Sequence, residues 1–231
     1  MARRYFVDSL PNCGGTVLVG EVAHHLATVL RMRPGDELLL CDGKGNECTA
    51  RVERSGGGKV AIQAGEARRA ISTPFSLHVA FAAPRWTRAD WLLEHGTEVG
   101  ITTFWPLWTE RTRPQGGRQD RWQKLVRAAA GQCDRAFLPE VREVTEFAEF
   151  LRAPEVPTLR FLADGHGAPC PASVAGPAAL LVGPEGGFSS SEREQAITAG
   201  FVPTGLGPHV LRTETAALVG ASALLLAMQR H

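Results

Sequence analysis

Short runs of alternating apolar and polar residues fill the first third of the chain, and this is the period expected of half-buried strands. The strands predicted there span residues 17–19, 37–41, 47–53 and 59–64. A single helix over residues 23–31 interrupts them and ends before Pro34-Gly35. Asp42-Gly43 favours a tight turn between the second and third strands, because glycine adopts positive φ at little cost. Residues 1–72 are therefore predicted to form a small β-barrel with one helix.

Beyond residue 73 the period changes, and apolar runs alternate with segments of helical period. The predicted strands span residues 77–83, 103–107, 158–163, 178–182 and 201–205, and the predicted helices span residues 88–99, 119–133 and 216–228. This alternation predicts an α/β domain over residues 73–231, with a mostly parallel sheet covered on both faces. The last helix is apolar on nearly all faces, so it must be buried in the core or against another subunit. Ligands of such sheets bind outside the carboxyl ends of the strands.

The composition fits a folded protein, because 44% of the 231 residues are hydrophobic. The uncharged stretch of residues 215–229 is too short for a membrane span, and the N-terminus lacks the pattern of a signal peptide. The five cysteines are odd in number and show no CxxC spacing, and the seven histidines form no HExxH. These counts predict neither a disulfide framework nor a metal site. We therefore expect a cytoplasmic protein with no membrane partner and no metal.

A glycine-rich loop follows the strand predicted at residues 178–182 and reads GPEGGF over residues 183–188. Ser189 and Glu192 after it have the spacing of a capping box, so the loop leads into a helix. Its glycines permit close approach of the backbone to a ligand. The loop lacks the Lys and Ser/Thr of a P-loop, and Glu185 would repel a phosphate but suit a neutral or cationic ligand. The alternative is a tight turn from strand to helix without a ligand.

A second loop, LGPHVLR over residues 206–212, precedes the last predicted helix. Thr213 is a candidate N-cap of that helix. Arg212 and Glu214 stand at the mouth of a buried element, where charges are costly unless they are paired or functional. A structural ion pair between the two is therefore the alternative to a functional role.

A basic segment carries a local net charge of +5 over residues 111–127, although the whole chain has a net charge of only +1. Six basic residues stand there against Asp120, namely Arg111, Arg113, Arg118, Arg121, Lys124 and Arg127. Trp108 and Gly116-Gly117 accompany them, which predicts a flexible basic loop that leads into a helix with a basic face. Such a segment can contact the phosphates of a nucleic acid. A solvated charged face is the alternative.

The two loops together resemble the signature of the 16S ribosomal RNA uracil-N3 methyltransferases of the SPOUT superfamily. The matching segments read LLVGPEGGFSSSE over residues 180–192 and LGPHVLRTETA over residues 206–216. Their joint occurrence at this spacing is far more specific than either loop alone. Three further segments similar to family motifs lie within residues 25–36, 98–111 and 121–140, so the resemblance extends over nearly the whole chain. The chain departs from the family at His95, where Lys is usual, and at Gly131, where Glu is usual.

The resemblance implies a PUA-like, RNA-binding β-barrel at residues 1–72 and a SPOUT methyltransferase domain with a deep trefoil knot at residues 73–231. It also implies a homodimer that binds S-adenosylmethionine in the knot and methylates N3 of one uridine in 16S ribosomal RNA or the small ribosomal subunit. A sulfonium donor without phosphate agrees with a loop that holds Glu185. The residues expected to bind this donor are Leu162, Val182, Gly183, Pro184, Glu185, Gly186, Gly187, Leu206, Gly207, Leu211, Thr215 and Ala216.

For catalysis, N3 of uridine is protonated at neutral pH, so the enzyme must align it with the methyl group and assist loss of the proton. We predict that Arg212 stabilises the charge that develops on the uracil carbonyl oxygens, and that Glu214 orients Arg212 or caps the helix. The residues predicted to contact RNA are Arg31, Arg33, Arg111, Arg113, Arg118, Arg121 and Lys124.

Two alternatives remain open at this point. A methyltransferase of the same superfamily could act on another RNA position, such as a ribose 2′-oxygen. A non-catalytic RNA-binding protein could retain the same fold, and binding of S-adenosylmethionine would argue against it. A nucleotide-dependent oxidoreductase is disfavoured because the chain lacks GxGxxG.

Overall fold

A computed structural model describes residues 4–72, 74–82, 86–112 and 118–230. Contacts within the chain separate two compact units. The first unit contains Met1–Thr73 and Arg127–Leu138, and the second contains Pro74–Val126 and Pro139–His231. The sequence assigns residues 127–138 to the second domain, whereas the contacts of these residues lie within the first unit.

The first unit is built on one mixed sheet. Its six strands are β1 (Arg4–Phe6), β2 (Gly14–Leu18), β3 (Glu37–Cys41), β4 (Asn46–Gly56), β5 (Lys59–Ala64) and β6 (Arg68–Arg69). They lie in the order β1-β3-β4-β5-β2, with β6 paired to β4. Strand β1 runs parallel to β3, and the other pairs are antiparallel. The short strands β1 and β6 are absent from the sequence prediction, because runs of two or three residues carry no usable period.

A helical segment connects β2 to β3. It consists of helix α1 (Gly20–His24) and a π-helical turn (His25–Val29), so it starts and ends earlier than the predicted helix. Arg31 beyond it has a φ of +52°, and this left-handed conformation ends the helical path. Leu26 of the turn is fully buried against the alternating apolar positions of β3, β4 and β5.

Residues 127–138 contribute to the core of the first unit. Ala130 is buried in an apolar cluster with Phe6 of β1. A Cβ atom at Gly131 would lie 3.0 Å from the carbonyl oxygen of Arg4. The glycine that replaces the usual glutamate of the resembled family therefore accommodates a close approach of two backbones.

The second unit contains a seven-stranded sheet in which all described neighbours are parallel. Its strands are β7 (Leu77–Ala82), β8 (Thr103–Trp108), β9 (Glu140–Val141), β10 (Thr145–Glu146), β11 (Leu159–Pro169), β12 (Ala178–Val182) and β13 (Val202–Gly205). The order is β10-β8-β7-β12-β11-β13, with β9 paired to β8. The prediction of a parallel α/β sheet is confirmed, and β11 extends beyond the predicted residues 158–163 through an irregularity after Ala163.

Helices cover both faces of this sheet. They are α2 (Trp86–Val99), α3 (Gln119–Gln132), α4 (Phe147–Arg152), α5 (Ser190–Thr198) and α6 (Thr213–Met228). Residues of α2, α3 and α6 share one buried cluster with the odd-numbered positions of β7, and residues of α4 and α5 share another with Ala80. Gly100 ends α2 with a φ of +118°, as predicted for its C-cap position.

Helix α6 begins at Thr213, and Arg212 is its N-cap residue, so the prediction that Thr213 caps the helix is wrong. The Thr213 hydroxyl instead donates to the carbonyl oxygen of Gly183 at 2.9 Å. Most of the helix is buried, but Val219 and Leu226 are 39% and 52% exposed.

No described helix is long and apolar enough to cross a membrane. Within the described ranges, no group of three or more His, Cys, Asp or Glu side chains is placed to hold a metal ion.

Candidate functional site

A cavity of about 330 Å³ lies at the carboxyl ends of β12 and β13 in the second unit, beside residues 162–165 in β11, where the pairing of that strand becomes irregular. This is the edge of a parallel sheet at which ligands of such folds bind, and the volume falls in the usual range for small-molecule pockets. Ten of the residues predicted to bind the donor line it, namely Leu162, Val182, Gly183, Pro184, Glu185, Gly187, Leu206, Gly207, Leu211 and Ala216. Gly186 and Thr215, which were also predicted, are not among the lining residues.

Eight further residues line the same cavity, and two of them, His209 and Val210, lie in the second loop, whose backbone was expected to bind the donor. The eight are Ala163, Asp164, Gly165, Phe188, Arg193, His209, Val210 and Thr213. Asp164 directly follows the strand predicted at residues 158–163, so the rule that ligands bind beyond the carboxyl ends of strands could have identified it. Phe188, His209, Val210 and Thr213 lie within the two segments that carry the family resemblance, whereas Ala163, Gly165 and Arg193 have no signal in the sequence that distinguishes them.

Asp164 and Arg193 form a polar wall of the cavity. The Asp164 Oδ2 accepts hydrogen bonds from Nε and Nη2 of Arg193 at 3.0 and 2.8 Å. The backbone N–H of His166 donates to Oδ1 at 2.9 Å. This backbone hydrogen bond, together with the Arg193 guanidinium, holds the pKa of Asp164 below its ordinary value. The carboxylate is therefore charged and fixed in orientation at neutral pH.

The 183–188 loop turns sharply between β12 and α5. The N–H of Gly187 donates to the carbonyl oxygen of Pro184 at 2.8 Å, and Gly187 has a φ of +71°. A side chain at this position would be strained, since L residues rarely adopt such a φ. A Cβ atom at Gly183 would lie 3.0 Å from the Phe188 ring. Glycine is thus needed here for the turn and for close packing.

The predicted capping box at the start of α5 is confirmed. Ser189 Oγ accepts from the N–H of Glu192 at 3.1 Å, and Glu192 Oε2 accepts from the N–H of Ser189 at 2.9 Å. The second oxygen of Glu192 accepts from the N–H of Glu110 at 2.8 Å. Glu192 is only 4% exposed, and the two backbone N–H groups of Ser189 and Glu110 compensate its buried carboxylate.

Two arginines hold the 183–188 loop from outside the cavity. Arg88 forms an ion pair with Glu185 and lies 3.7 Å from Glu214. Arg111 donates to the carbonyl oxygen of Gly186. The sequence analysis treats Glu185 as an isolated negative charge that suits a cationic ligand. In the structure its carboxylate is instead paired with the Arg88 guanidinium.

Arg212 and Glu214 are not paired with each other among the described contacts. The Arg212 side chain is exposed and lies between Leu211 and Thr213, both of which line the cavity. Glu214 contacts Arg88, and its Oε2 atom is buried without a hydrogen-bond partner in the part of the chain that is described. The expected contact from Glu214 to Arg212 is thus replaced by a contact to a residue of α2.

Carboxylates from outside the basic segment neutralise more of its positive charge than its sequence indicates. Asp90 of α2 accepts from Arg118 at 3.2 Å and from Arg121 at 2.8 Å. Arg127 pairs with Asp8 at 3.1 Å within the first unit. The acidic partners are distant in sequence, so counting charges between residues 111 and 127 could not find them.

Four of the remaining residues predicted to contact RNA are exposed, and the fifth lies outside the described residues. Arg121 remains 63% exposed despite its partner. Lys124 lies on α3, and Arg113 falls outside the described residues. Arg31 and Arg33 are both exposed in the first unit, after the π-helical turn. Among the described residues, Arg31 and Arg33 are therefore exposed in the first unit, and Arg121 and Lys124 are exposed in the second.

His95, the other departure from the resembled family, has a local role. Its ring stacks on that of Trp91 with centroids 4.2 Å apart, and its Nδ1 atom lies 2.9 Å from the Trp91 carbonyl oxygen. It lines no part of the cavity.

Comparison with known families gives two matches along the chain. Residues 72–225 match the family described as an RNA methyltransferase domain, and residues 18–64 match an RNA methyltransferase PUA domain. A protein of Mycobacterium bovis named ribosomal RNA small subunit methyltransferase E is 35% identical over 97% of this chain and 91% of its own length. A protein of the same name from Bacillus subtilis is 28% identical over 96% of this chain and 95% of its own length.

Solved structures of similar proteins also match nearly the whole chain. A putative methyltransferase from Legionella pneumophila, in complex with the cofactor SAM, has a TM-score of 0.89 and 29% identity, covering 99% of this chain and 98% of its own. A ribosomal RNA small subunit methyltransferase E from Neisseria gonorrhoeae, bound to S-adenosyl methionine, has a TM-score of 0.87 and 28% identity, covering 96% of each chain.

Proposed function

The chain belongs to the family of ribosomal RNA small subunit methyltransferase E proteins, and from this premise we propose that it methylates N3 of one uridine in 16S ribosomal RNA. The donor is S-adenosylmethionine, as in the solved relatives. The observation that carries the proposal is the meeting of the 183–188 and 206–212 loops around one cavity at the carboxyl ends of parallel strands.

The cavity suits this donor in its chemistry. Its apolar walls come from Leu162, Leu206 and Leu211, which match the face of an adenine ring. Gly187 and Gly207 leave open space around their backbone, with nothing within 4 Å of where a side chain would start. Backbone N–H and C=O groups of the two loops would then hold the adenine and the ribose. Once bound, the donor supplies an electrophilic methyl group on a sulfonium cation.

Arg212 is our candidate catalytic residue. The residue lies in the chain between Leu211 and Thr213, which both line the cavity, and its exposed guanidinium has no partner in the described part of the chain. A free guanidinium there can stabilise the negative charge that develops on a uracil carbonyl oxygen as N3 loses its proton. Glu214 contacts Arg88 instead of Arg212, so we assign it to the support of the site and not to contact with the uracil.

RNA binding would use exposed arginines of both units. Arg121 lies on α3 of the second unit, and Arg31 and Arg33 follow the π-helical turn of the first. Arg113 and Lys124 complete the proposed contacts. Because Arg111 donates to the 183–188 loop, we propose that it shapes the donor site and does not bind phosphate.

We also propose a homodimer, a trefoil knot around the donor and a cytoplasmic location. The dimer is supported by Val219 and Leu226, which leave part of the apolar helix α6 exposed in the single chain. The knot follows the resemblance to SPOUT proteins, and the location follows the ribosomal RNA substrate of the named relatives.

The test is to incubate the purified protein with methyl-labelled S-adenosylmethionine and either naked 16S ribosomal RNA or small ribosomal subunits, then to digest the RNA to nucleosides. We expect label in N3-methyluridine. Label in a ribose-methylated nucleoside would instead establish the 2′-oxygen alternative. Donor binding without any label in RNA would indicate a non-catalytic binding protein.

A substitution test addresses Arg212 directly. We expect Arg212→Ala to lower turnover at saturating donor and RNA about 100-fold, as for loss of one charge-stabilising donor, with donor affinity nearly unchanged. Arg230→Ala, at an exposed arginine just beyond α6, is the matched control and should keep full turnover. Full turnover in Arg212→Ala would exclude this role.

A further inference from the structure

We propose that Arg88 is a positioning residue for donor binding, an inference that rests on the proposed function. Its guanidinium lies between the carboxylate of Glu185, in the 183–188 loop, and that of Glu214, in the first turn of α6. Arg88 itself belongs to α2. One side chain thereby connects both segments that border the cavity to a helix of the buried core.

The three side chains differ in their exposure to solvent. Glu185 is 50% exposed, Arg88 is 26% exposed and Glu214 is 13% exposed. The Oε1 atom of Glu214 lies 3.7 Å from Nε of Arg88, and its Oε2 atom is buried without a hydrogen-bond partner among the described residues. Glu214 therefore depends on Arg88 for compensation of its charge, whereas water can solvate Glu185.

This asymmetry predicts what happens when Arg88 is removed. Loss of one member of a buried ion pair is costly because it leaves the other charge uncompensated, whereas replacement of both members by neutral groups can be nearly neutral. Without Arg88, the Glu214 carboxylate would have to move toward water. Such a movement would displace the first turn of α6, where Thr213 and Ala216 line the cavity.

Arg88 acts on the donor only through these neighbours. It does not line the cavity, whereas Glu185 does. A second connection between the same segments, from the Thr213 hydroxyl to the carbonyl oxygen of Gly183 at 2.9 Å, would remain after its loss. Removal of Arg88 should therefore weaken donor binding without abolishing the fold or the chemical step.

The experiment compares the wild type with Arg88→Met, Glu214→Gln and the double variant, using calorimetric titration of the full chain with S-adenosylmethionine. We expect Arg88→Met to raise the Kd about tenfold, and the double variant to recover at least about threefold of that loss. Turnover at saturating donor should change less than about threefold, because Arg88 does not line the cavity. A purely structural role would not produce recovery on the second substitution.

A matched control is Arg51→Met, which removes an exposed ion pair with Glu37 in the first unit and should leave the Kd unchanged. Arg88→Lys keeps a positive charge without the two-sided guanidinium, so its Kd should lie between those of wild type and Arg88→Met. If Arg88→Met folds poorly, Arg88→Lys takes its place in the comparison of Kd values. Wild-type affinity in Arg88→Met, or additive losses in the double variant, would overturn the proposal.

Amide hydrogen exchange without donor separates this inference from the proposed function. We expect faster exchange in Arg88→Met at residues 183–188 and 213–216, and unchanged exchange in the first unit. If the wild-type protein binds no S-adenosylmethionine, the proposed function fails, and the exchange rates still decide whether Arg88 holds the two segments. Unchanged exchange at both segments would overturn the positioning role.

Discussion

The hydroxyl of Thr213 donates a hydrogen bond of 2.9 Å to the carbonyl oxygen of Gly183, so the start of α6 is joined directly to the glycine-rich loop. Thr213 is only 4% exposed, and both residues line the cavity. The hydroxyl is thus engaged with the loop and not with the helix cap, and this buried contact joins the same two segments that Arg88 connects from outside the cavity.

Thr213→Val should weaken both the fold and donor binding. Valine has nearly the shape of threonine but leaves the Gly183 carbonyl without this donor, which typically costs about 1–3 kcal/mol. We expect a lower free energy of unfolding in urea and a Kd for S-adenosylmethionine raised several-fold. Thr213→Ser keeps the hydroxyl and should bind the donor nearly as the wild type does. Equal donor affinity in the valine and serine variants would contradict this assignment.

Glu192→Gln tests the buried carboxylate at the start of α5. Its two oxygens accept from the backbone N–H groups of Ser189, at 2.9 Å, and Glu110, at 2.8 Å. An amide offers only one accepting oxygen, so one of these buried donors would lose its partner, and the favourable charge at the helix N-terminus would be lost as well. We expect a loss of about 1–3 kcal/mol in the free energy of unfolding.

The comparison for that variant is Ser189→Ala, which removes only the cap and should cost about 1 kcal/mol. If Glu192→Gln cost no more than Ser189→Ala, the contact to Glu110 would contribute nothing measurable.

His78 should make the protein less stable in acid. Burial, assisted by the nearby Arg142 charge, lowers the pKa of His78 from 6.5 to about 4. Its neutral ring lies 3.3 Å from the indole nitrogen of Trp105, which donates to Nδ1. Between these two pKa values the unfolded chain binds more protons than the native one, so stability falls as the pH falls through that window.

His78→Asn removes this titration while an amide oxygen can still accept from Trp105. Urea unfolding from about pH 8 down to about pH 4 should therefore show a smaller loss of stability in the variant than in the wild type. Near pH 8 the imidazole is neutral in both the folded and the unfolded chain. The difference in free energy of unfolding between wild type and variant at that pH is therefore the baseline for the comparison. Parallel curves over the whole range would exclude a contribution from His78.

Arg121 is the arginine of α3 best suited to test RNA binding. Its side chain is 63% exposed, and Asp90 retains Arg118 as a partner when Arg121 is replaced. We expect Arg121→Gln to weaken RNA binding several-fold and to reduce the slope of log affinity against log salt by about one. Arg152→Gln, on α4 at the opposite face of the sheet, is the control. Identical salt slopes in wild type and Arg121→Gln would remove Arg121 from the interface.

Local patterns in the sequence determined most of the elements and the two loops. The strands Glu37–Cys41, Lys59–Ala64 and Ala178–Val182 have the predicted bounds, because each is a complete apolar or alternating run. The capping box of Ser189 and Glu192 was equally readable, since both of its hydrogen bonds join residues three apart in sequence. The parallel sheet followed from the alternation of strands and helices, and it brought both loops to one edge.

Only the tertiary structure decided which charges meet. Asp90 lies about 30 residues before the arginines it neutralises, and Arg88 is separated by 97 residues from Glu185 and by 126 from Glu214. Ion pairs of this kind depend on which helices pack on the same face of the sheet, and periodicity does not encode that choice. The sequence therefore located the cavity by its loops, whereas the arrangement that holds those loops became visible only in the folded chain.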